Sequence, residues 1–347
     1  MQTMNWRGAL VAVVAAASLT TVAACGSGSS TSGSTKVLHL TEAGGDSGKS
    51  IDVGYGAPFT KETGIKLVRE SGTNAVGKLK AMVESGNVTA DLFELADTSI
   101  ETAKSEGLLQ NLDYKAIAPD GLNPGAKLPY GMGWQYFATY MAWGAKQKPI
   151  STWQQFWDTS AVPGKRAIPD YPSFALPMVL LGDGVKPADL YPLDLDRAFK
   201  ILDEKKNDLV FWTDGAQPKE MLEGGNVVYA TTWDTGLIGN TSGIGYDFTN
   251  ALRNVSYMVR PKGAKNEAAA MKFLHQMTVA KNQAAALTVA PYTGTSPDLA
   301  SVVSAAKLKD VPTAPKYFNS QVPTNAKYWA THGAAVEKRW AKFKLSL

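Results

Sequence analysis

The sequence predicts an α/β protein with mainly parallel sheets, divided into two lobes. Short apolar runs alternate along the chain with segments of helical periodicity, which is typical of parallel strands with flanking helices. After removal of a leader, about 320 residues would remain, more than a single hydrophobic core comfortably holds. No internal repeat is visible, so a repeat architecture is not indicated.

The first 35 residues have the composition of a leader and a tether. Arg7 is followed by seventeen small or apolar residues, Gly8 to Ala24. A membrane-spanning helix needs about 20 apolar residues, so this shorter stretch indicates a secretory signal. We therefore predict a signal peptide over residues 1–24. The Gly, Ser and Thr residues of 26–35 predict a flexible tether.

Cys25 is the only cysteine of the chain, and it follows the apolar stretch directly. The segment Val22–Cys25 resembles the lipobox of bacterial lipoproteins. That resemblance implies cleavage before Cys25 and a diacylglycerol group on its sulfur, and two acyl chains hold a protein stably to a bilayer. The alternative is an ordinary signal peptide with an incidental cysteine. We expect a lipid anchor at the outer face of the cytoplasmic membrane, with no other membrane contact.

Regular elements are predicted from Lys36 onward. Residues Thr98 and Glu101 form a capping-box pattern, which predicts the start of a helix at that point. In the first part of the chain the predicted strands are Val37–Leu40, Ile65–Val68 and Asp91–Leu95, with a helix over Asn74–Glu84. Further on, strands are predicted at Leu209–Trp212 and Val227–Thr231, and helices at 195–202, 218–223, Ala264–Met277 and 281–288.

Segments rich in Pro and Gly at 119–133, 161–172 and 291–297 are predicted connections between these elements. The first of them is long for a loop within a compact lobe. It therefore either lines a cleft or crosses the surface, and the sequence leaves both interpretations open.

Composition argues against several functional classes. The net charge is +4, and the scattered basic residues do not indicate a nucleic-acid partner. Three isolated histidines and a single cysteine provide no metal-binding motif, and no nucleophile-elbow motif is present. We therefore predict no metal, no cofactor and no catalytic residue. Nine Trp and thirteen Tyr residues are numerous enough for either a stacking pocket or an aromatic core.

Three stretches resemble the solute-binding proteins of ABC importers, in the branch that includes the polyamine binders. The third stretch is the most specific, because it carries Trp-x-x-Gly-Ala-Gln, although Asn226 interrupts the pattern that follows. The resemblance spans residues 36–345. The matching segments are Pro58–Lys66 with Lys78–Gly86 and Asp91, Thr152–Asp158 with Pro163–Arg166, and Phe211–Pro218 with Glu223, Gly224 and Thr232–Asp234.

The resemblance implies a type II periplasmic-binding-protein-like fold, in which a ligand cleft lies between the lobes. Lobe 1 would comprise residues 36–142 plus 258–305, and lobe 2 residues 143–257 plus 306–347. Such proteins close their lobes on a small-molecule solute and deliver it to the ABC permease subunits in the membrane, without chemistry on the solute. We expect a monomer.

The resemblance also implies a set of ligand-binding residues. In the polyamine branch, aromatic rings hold the aliphatic chain of the ligand and carboxylates hold its amines, which agrees with the energetics of buried cations. For each matching position, a place in the core of a lobe is the alternative. The residues at matching positions are Thr41, Glu42, Trp134, Tyr136, Trp212, Asp214, Gln217, Trp233 and Asp234.

One departure from the polyamine branch affects the ligand. Where those proteins carry Trp-x-Asp, this chain reads Arg253–Ser256, so a second carboxylate is missing unless Asp234 replaces it. Arg253 is therefore added to the predicted ligand-binding residues, because a guanidinium suits carboxylates and phosphonates. The main expectation is a small, cationic, polyamine-like solute. The alternatives are an amino-bearing anion held by Arg253 (an aminophosphonate, amino acid or opine-like compound), a ferric ion, or an exported hydrolase.

Overall fold

The computed structural model describes residues 36–71, 76–123, 125–233 and 243–347, with only the backbone of Pro315. Cys25, the tether and Asp234 therefore lie outside the described residues. The strands are β1 (Val37–Glu42), β2 (Lys66–Ser71), β3 (Leu92–Ala96), β4 (Leu109–Gln110), β5 (Lys127–Leu128), β6 (Gly131–Trp143), β7 (Arg166–Pro169), β8 (Leu209–Trp212), β9 (Tyr229–Thr232), β10 (Gly245–Pro261), β11 (Thr293–Gly294) and β12 (Val322–Pro323).

The helices surround these strands, and a π turn over Asp52–Gly56 joins the first two of them. The α-helices are α1 (Gly45–Ile51), α2 (Ala57–Thr63), α3 (Val76–Glu84), α4 (Asp97–Ser105), α5 (Tyr114–Ile117), α6 (Trp153–Trp157), α7 (Pro172–Gly182), α8 (Leu195–Lys205), α9 (Gln217–Glu223), α10 (Glu267–Thr278), α11 (Ala280–Ala286), α12 (Leu299–Val302), α13 (Ala305–Leu308), α14 (Pro315–Phe318) and α15 (Ala326–Lys344).

The sheet of the first lobe contains β2, β1 and β3 in that order, and β1 runs parallel to both neighbours. Its two faces are covered by separate apolar clusters. Leu40 belongs to the cluster that includes Phe59 of α2 and Phe273 of α10. Phe93 belongs to the cluster on the other face, which includes Ile100 of α4. The lobe is thus a helix–sheet–helix sandwich.

The second lobe has the same layered construction. Strands β9, β7 and β8 are parallel neighbours. On one face, Ile168 packs in a cluster with residues of α6, α7, α8 and α15, including Phe156 and Trp340. On the other face, Ala167 packs with Leu222 of α9. The predicted two-lobed α/β fold is confirmed.

Two long antiparallel strands, β6 and β10, pass from one lobe to the other, and we call them the crossing strands. β10 pairs with β3 in the first lobe, whereas β6 pairs with β9 in the second. The sheet is therefore mixed, with parallel strands within each lobe and antiparallel pairing where the chain crosses. The residue boundaries of the two lobes stay a prediction.

The pairing of the crossing strands shifts by one residue at Trp134. Ser256 lies opposite Gln135 and Tyr257 opposite Gly133, so Trp134 is the extra residue of a β-bulge. The Trp134 ring packs edge-on against Tyr55 of the π turn at 5.9 Å, and Gln135 hydrogen-bonds α1. The Trp134 and Gln135 side chains therefore both face the layer formed by α1 and the π turn. Regular alternation along β6 resumes only after Gln135.

Two kinds of local prediction were wrong, the start of α4 and the connections. Helix α4 begins at Asp97 with Ala96 as its N-cap and no side-chain hydrogen bond at the cap, so Thr98 does not start it. The Glu101 carboxylate accepts a hydrogen bond from the Tyr130 hydroxyl. None of the three predicted connections is a loop throughout, because 119–133 contains β5 and the first residues of β6, 161–172 contains β7, and 291–297 contains β11.

Asp97 connects the first lobe to a crossing strand. Its carboxylate accepts hydrogen bonds from Asn254 Nδ2 at 3.0 Å and from the backbone N–H of Val255 at 3.0 Å. Asn254 Nδ2 also donates to Thr324 Oγ1 at 2.6 Å. Burial raises the pKa of Asp97 to about 6, although the hydrogen bonds act in the opposite direction.

This raised pKa predicts a pH-dependent contribution to stability. The carboxyl titrates near 3.8 when unfolded and near 6 when folded, so the folded protein holds its proton more tightly. The contribution is complete below pH 3.8 and is lost as the pH rises through 6. Between about pH 4 and 7, the free energy of unfolding of the wild type should fall by about 2 kcal/mol more than that of Asp97→Asn. Urea unfolding measures both.

The matched control is Asp203→Asn, because Asp203 is exposed and pairs only with Lys206 in the described chain. That variant should keep the wild-type pH dependence. If Asp97→Asn also kept it, the raised pKa of Asp97 would be contradicted.

Candidate functional site

The crossing strands present two different faces between the lobes. One face, which we call the cleft face, carries Gln135, Phe137, Thr139 and Asn254. Gln135 Nε2 donates to Ser47 Oγ of α1 at 3.0 Å, while the Phe137 ring lies 6.5 Å from the ring of Phe174 in α7. The cleft face therefore connects the helix that follows β1 with the helix that follows β7. Open α/β sheets bind ligands at such carboxyl ends of strands.

Three rings of the second lobe form what we call the aromatic wall: Tyr171, Phe174 and Trp233. The Trp233 centroid lies 5.0 Å from that of Phe174 and 5.6 Å from that of Tyr171. Trp233 Nε1 donates to Thr139 Oγ1 at 2.7 Å, so the wall is joined to the cleft face. Tyr171 is 38% exposed and can meet a ligand.

Trp212 lies behind this wall. Its ring is fully buried and packs edge-on against Trp233, with centroids 4.7 Å apart. The structure thus brings two predicted residues, Trp212 and Trp233, together. Their positions differ, however, because Trp212 supports Trp233 from the core while Trp233 belongs to the wall.

The turn after β8 places a carboxylate near the wall. Gln217 Oε1 accepts hydrogen bonds from the backbone N–H groups of Thr213 at 2.8 Å and Asp214 at 3.2 Å, so Gln217 shapes the turn. Asp214 Oδ1 accepts from the N–H of Ala216 at 2.9 Å, and the side chain is exposed. The Tyr171 hydroxyl donates to the carbonyl of Thr213 at 3.0 Å, so the wall contacts the turn that carries Asp214. Burial raises the pKa of the Tyr171 hydroxyl, and the charges of Asp170 and Asp214 raise it further.

Asp170 anchors the start of the wall to the C-terminal helix. Trp340 Nε1 donates to Asp170 Oδ1 at 2.8 Å, and Lys344 Nζ lies 3.1 Å from Asp170 Oδ2. The backbone N–H of Asp170 also donates to the carbonyl of Trp212 at 2.8 Å. The residue immediately before Tyr171 is therefore fixed from both α15 and β8.

Glu42, at the end of β1, has a structural role in the first lobe. Its fully buried carboxylate pairs with Arg69 and accepts from Ser71 Oγ at 2.7 Å and from the N–H of Gly44 at 2.5 Å. Gly48 of α1 covers this pair, because a Cβ there would lie 2.5 Å from Arg69 Nη1. The neighbouring predicted residue Thr41 is only 2% exposed.

A second buried acid lies beside Glu42. Glu94 accepts a hydrogen bond from the N–H of Ala43 at 2.9 Å. Burial raises the pKa of Glu94, and the Glu42 charge adds to this effect. The Trp134 indole N–H is near Glu94 but has no partner in hydrogen-bond geometry among the described residues. Trp134 therefore packs in the core beneath the cleft face, with 1% of its surface exposed.

Tyr136 and Arg253 do not join the other predicted residues. They are the strand neighbours of Gln135 and Asn254, so alternation turns their side chains to the opposite face. There the Arg253 guanidinium lies 3.4 Å from the centroid of the Phe318 ring, and its Nη1 donates to the Phe318 carbonyl at 2.7 Å. The Tyr136 ring packs against the same phenyl group at 5.3 Å.

Several residues of the site were not predicted. Tyr171 lies two residues after β7, much as Trp233 directly follows β9, and that position was the available signal for Tyr171. Phe174 lies further on, in the first turn of α7. The position of the β-bulge decides which residues of the crossing strands face the cleft. Without it, the sequence does not distinguish Gln135, Phe137 and Asn254 from their neighbours. Asp234 was predicted but lies outside the described residues.

The described ranges contain neither a candidate membrane-spanning helix nor a candidate metal-binding cluster. None of the helices there combines the length and the apolar character that a bilayer crossing requires. In the same ranges, no group of three or more His, Cys, Asp and Glu side chains is placed to hold a metal ion.

Comparison with known proteins adds three relatives. The chain is 27% identical over 315 residues to a gamma-aminobutyric acid (GABA)-binding protein of Pseudomonas aeruginosa, covering 87% of this chain and 89% of that protein. It superposes on the solved GABA receptor Atu4243 with a TM-score of 0.82 and 30% identity, covering 88% of this chain and 97% of the other.

The third relative is the binding protein AgtB of A. tumefaciens R10, solved in complex with agropinic acid. The TM-score is 0.77 and the identity 32%, over 88% of this chain and 98% of that one. In addition, residues 54–316 match the sequence family described as bacterial extracellular solute-binding protein. Since this match covers more than half of the chain, the protein belongs to the family of bacterial extracellular solute-binding proteins of ABC importers.

Proposed function

We propose that the protein captures a small amino-bearing carboxylate, an amino acid such as GABA or an opine-like compound, and delivers it to an ABC permease. The observation that carries this proposal is the aromatic wall, whose Tyr171 hydroxyl donates to the turn that carries Asp214, together with the neutral hydrogen-bonding side chains of the cleft face. The two relatives named for GABA and the one solved with agropinic acid support it. They favour this ligand class over the polyamine-like solute that we expected first.

The amine of the ligand fits the second lobe. An ammonium group over the faces of Tyr171 and Trp233 gains about 0.5–2 kcal/mol. Desolvation of that cation requires an opposite charge nearby, and the exposed Asp214 directly follows Thr213, whose carbonyl accepts from the Tyr171 hydroxyl. Ring faces and one carboxylate thus suit a single amine better than the two of a diamine.

The carboxylate of the ligand fits the cleft face. Gln135 and Ser47 are already paired across the first lobe, and the amide and hydroxyl groups can each donate to a carboxylate. Arg253 was expected to hold the carboxylate of an amino-bearing anion. It has no role in this proposal, because its guanidinium packs on Phe318, on the face opposite the cleft face. Lobe closure would bring the two ends of the ligand against both lobes at once.

We further propose that Cys25 carries the lipid anchor. Its position directly after the apolar stretch and before a polar tether supports this proposal. An anchored receptor stays beside its permease, because the tether raises the effective concentration of the receptor at the membrane.

A ligand screen tests the proposed solute class. In a thermal-unfolding assay, GABA, agropinic acid and related amino-bearing carboxylates should stabilise the protein. A ligand at about 100 times its Kd contributes about 2.7 kcal/mol. Putrescine and spermidine serve as the comparison and should give little shift at equal concentration. Stabilisation by the polyamines alone would contradict the proposal, as would stabilisation by none of these compounds.

A matched pair of charge-removing variants tests the amine site. Asp214→Asn keeps the acceptor for the Ala216 N–H but removes the negative charge, so the Kd for the ligand found in the screen should rise roughly tenfold, about 1.4 kcal/mol. Asp203→Asn removes an exposed charge paired with Lys206 and should leave the Kd unchanged. Isothermal titration calorimetry measures both. Equal affinities of the two variants would exclude Asp214 from the amine site.

The anchor is tested by Cys25→Ser in the native host. We expect the variant to move from the membrane fraction to the soluble fraction, because no sulfur is left to carry the acyl chains. Ser32→Ala, in the tether, should remain with the membranes. Membrane association of the Cys25→Ser variant at the wild-type level would refute lipidation at this cysteine.

A further inference from the structure

A cavity of about 290 Å³ lies on the face of the crossing strands opposite the cleft face, and we call it the rear cavity. Its size is near the lower end of small-molecule sites. Tyr136 of β6 and Thr293 of β11 contribute to its wall, so it adjoins the strands that join the lobes. Pro297, Leu299, Ala300, Leu308 and Phe318 also line it.

The rear cavity has a cation behind one wall. Phe318 lines the cavity, and the guanidinium of Arg253 stacks on the same ring. Among the described residues Arg253 forms no ion pair within 4.0 Å, and its recorded hydrogen bond goes to the neutral carbonyl of Phe318. Burial lowers the pKa of Arg253, and nearby Tyr136 counteracts this only in part. A half-buried cation without a counter-ion favours an incoming anion.

The Tyr136 side chain supplies a second polar group. It is 2% exposed, and its hydroxyl has no hydrogen-bond partner in the described part of the chain. A buried hydroxyl without a partner is unfavourable, and a bound acceptor would remove that cost. Tyr136 and Arg253 both contact the Phe318 ring, so a ligand that displaces this ring would meet both groups.

We propose that the rear cavity binds a second ligand, a small organic monocarboxylate with a compact apolar body. Its carboxylate displaces the edge of Phe318, pairs with the Arg253 guanidinium and accepts a hydrogen bond from the Tyr136 hydroxyl. Its apolar body lies against Leu299, Leu308 and Pro297. An amine is not required, because no carboxylate lines this cavity in the described chain.

The position of the rear cavity gives such a ligand an influence on solute binding. Tyr136 lies between Gln135 and Phe137, which face the cleft, so both sites share one short stretch of β6. A ligand that holds Tyr136 in one position selects the lobe arrangement compatible with it. Occupancy of the rear cavity should therefore change the affinity of the cleft for its solute.

The test uses 4-fluorobenzoate as the probe and the full mature chain, observed by ¹⁹F NMR titration. We expect saturable binding of the carboxylate and at least tenfold weaker binding of the neutral 4-fluorobenzamide. Ala300→Trp places a bulky ring at the exposed lip of the cavity and should weaken binding at least tenfold. The control Ala334→Trp, at an exposed position of α15, should bind as the wild type does.

Two further variants separate the rear cavity from the cleft. Arg253→Gln should abolish the preference for benzoate over benzamide, whereas Tyr171→Ala, which removes the exposed ring of the aromatic wall, should leave probe binding intact. The proposal is overturned if the wild type shows no saturable binding, or if Ala300→Trp binds as tightly as Ala334→Trp. Loss of probe binding in Tyr171→Ala would also overturn it, since the probe ring would then stack in the cleft. None of these outcomes depends on which solute the cleft takes.

Discussion

The alternation of side chains along the two crossing strands determines the rest of this structure. Each strand has to serve two faces at once, because consecutive residues point in opposite directions. Gln135 and Asn254 therefore lie on the cleft face, and their neighbours Tyr136 and Arg253 lie on the opposite face, where Tyr136 lines the rear cavity and Arg253 stacks on Phe318. The bulge at Trp134 sets the phase of this alternation, so a single extra residue decides which groups a solute can meet.

The acidic side chains near the cleft differ between the two lobes in burial and in pairing. In the first lobe, Glu42 is neutralised by Arg69, and the adjacent Glu94 is kept in a setting that favours its protonated form. In the second lobe, the carboxylate of Asp214 is exposed to solvent. Only the latter retains capacity for a ligand cation, because a charge that is already paired offers little further binding energy.

Much of the fold was accessible from the sequence, but the orientation of the site was not. The short strands of the lobes are apolar runs between clear helices, and Trp212 and Trp233 were selected by position and do meet. β6, by contrast, is buried along almost its entire length, so it shows no polar–apolar alternation to reveal its faces. Tyr136 was included because of the resemblance and Arg253 because of the departure from it, and neither argument shows which face of a strand a side chain occupies. One residue of register reverses that face.

The hydrogen bonds of Asp170 make the end of the chain part of the binding site. Helix α15 contributes no ring to the aromatic wall, yet its Trp340 and Lys344 hold Asp170, the residue that precedes Tyr171. Substitutions or fusions near the C-terminus would thus alter the wall without touching it, so solute affinity becomes sensitive to a helix that the solute never contacts.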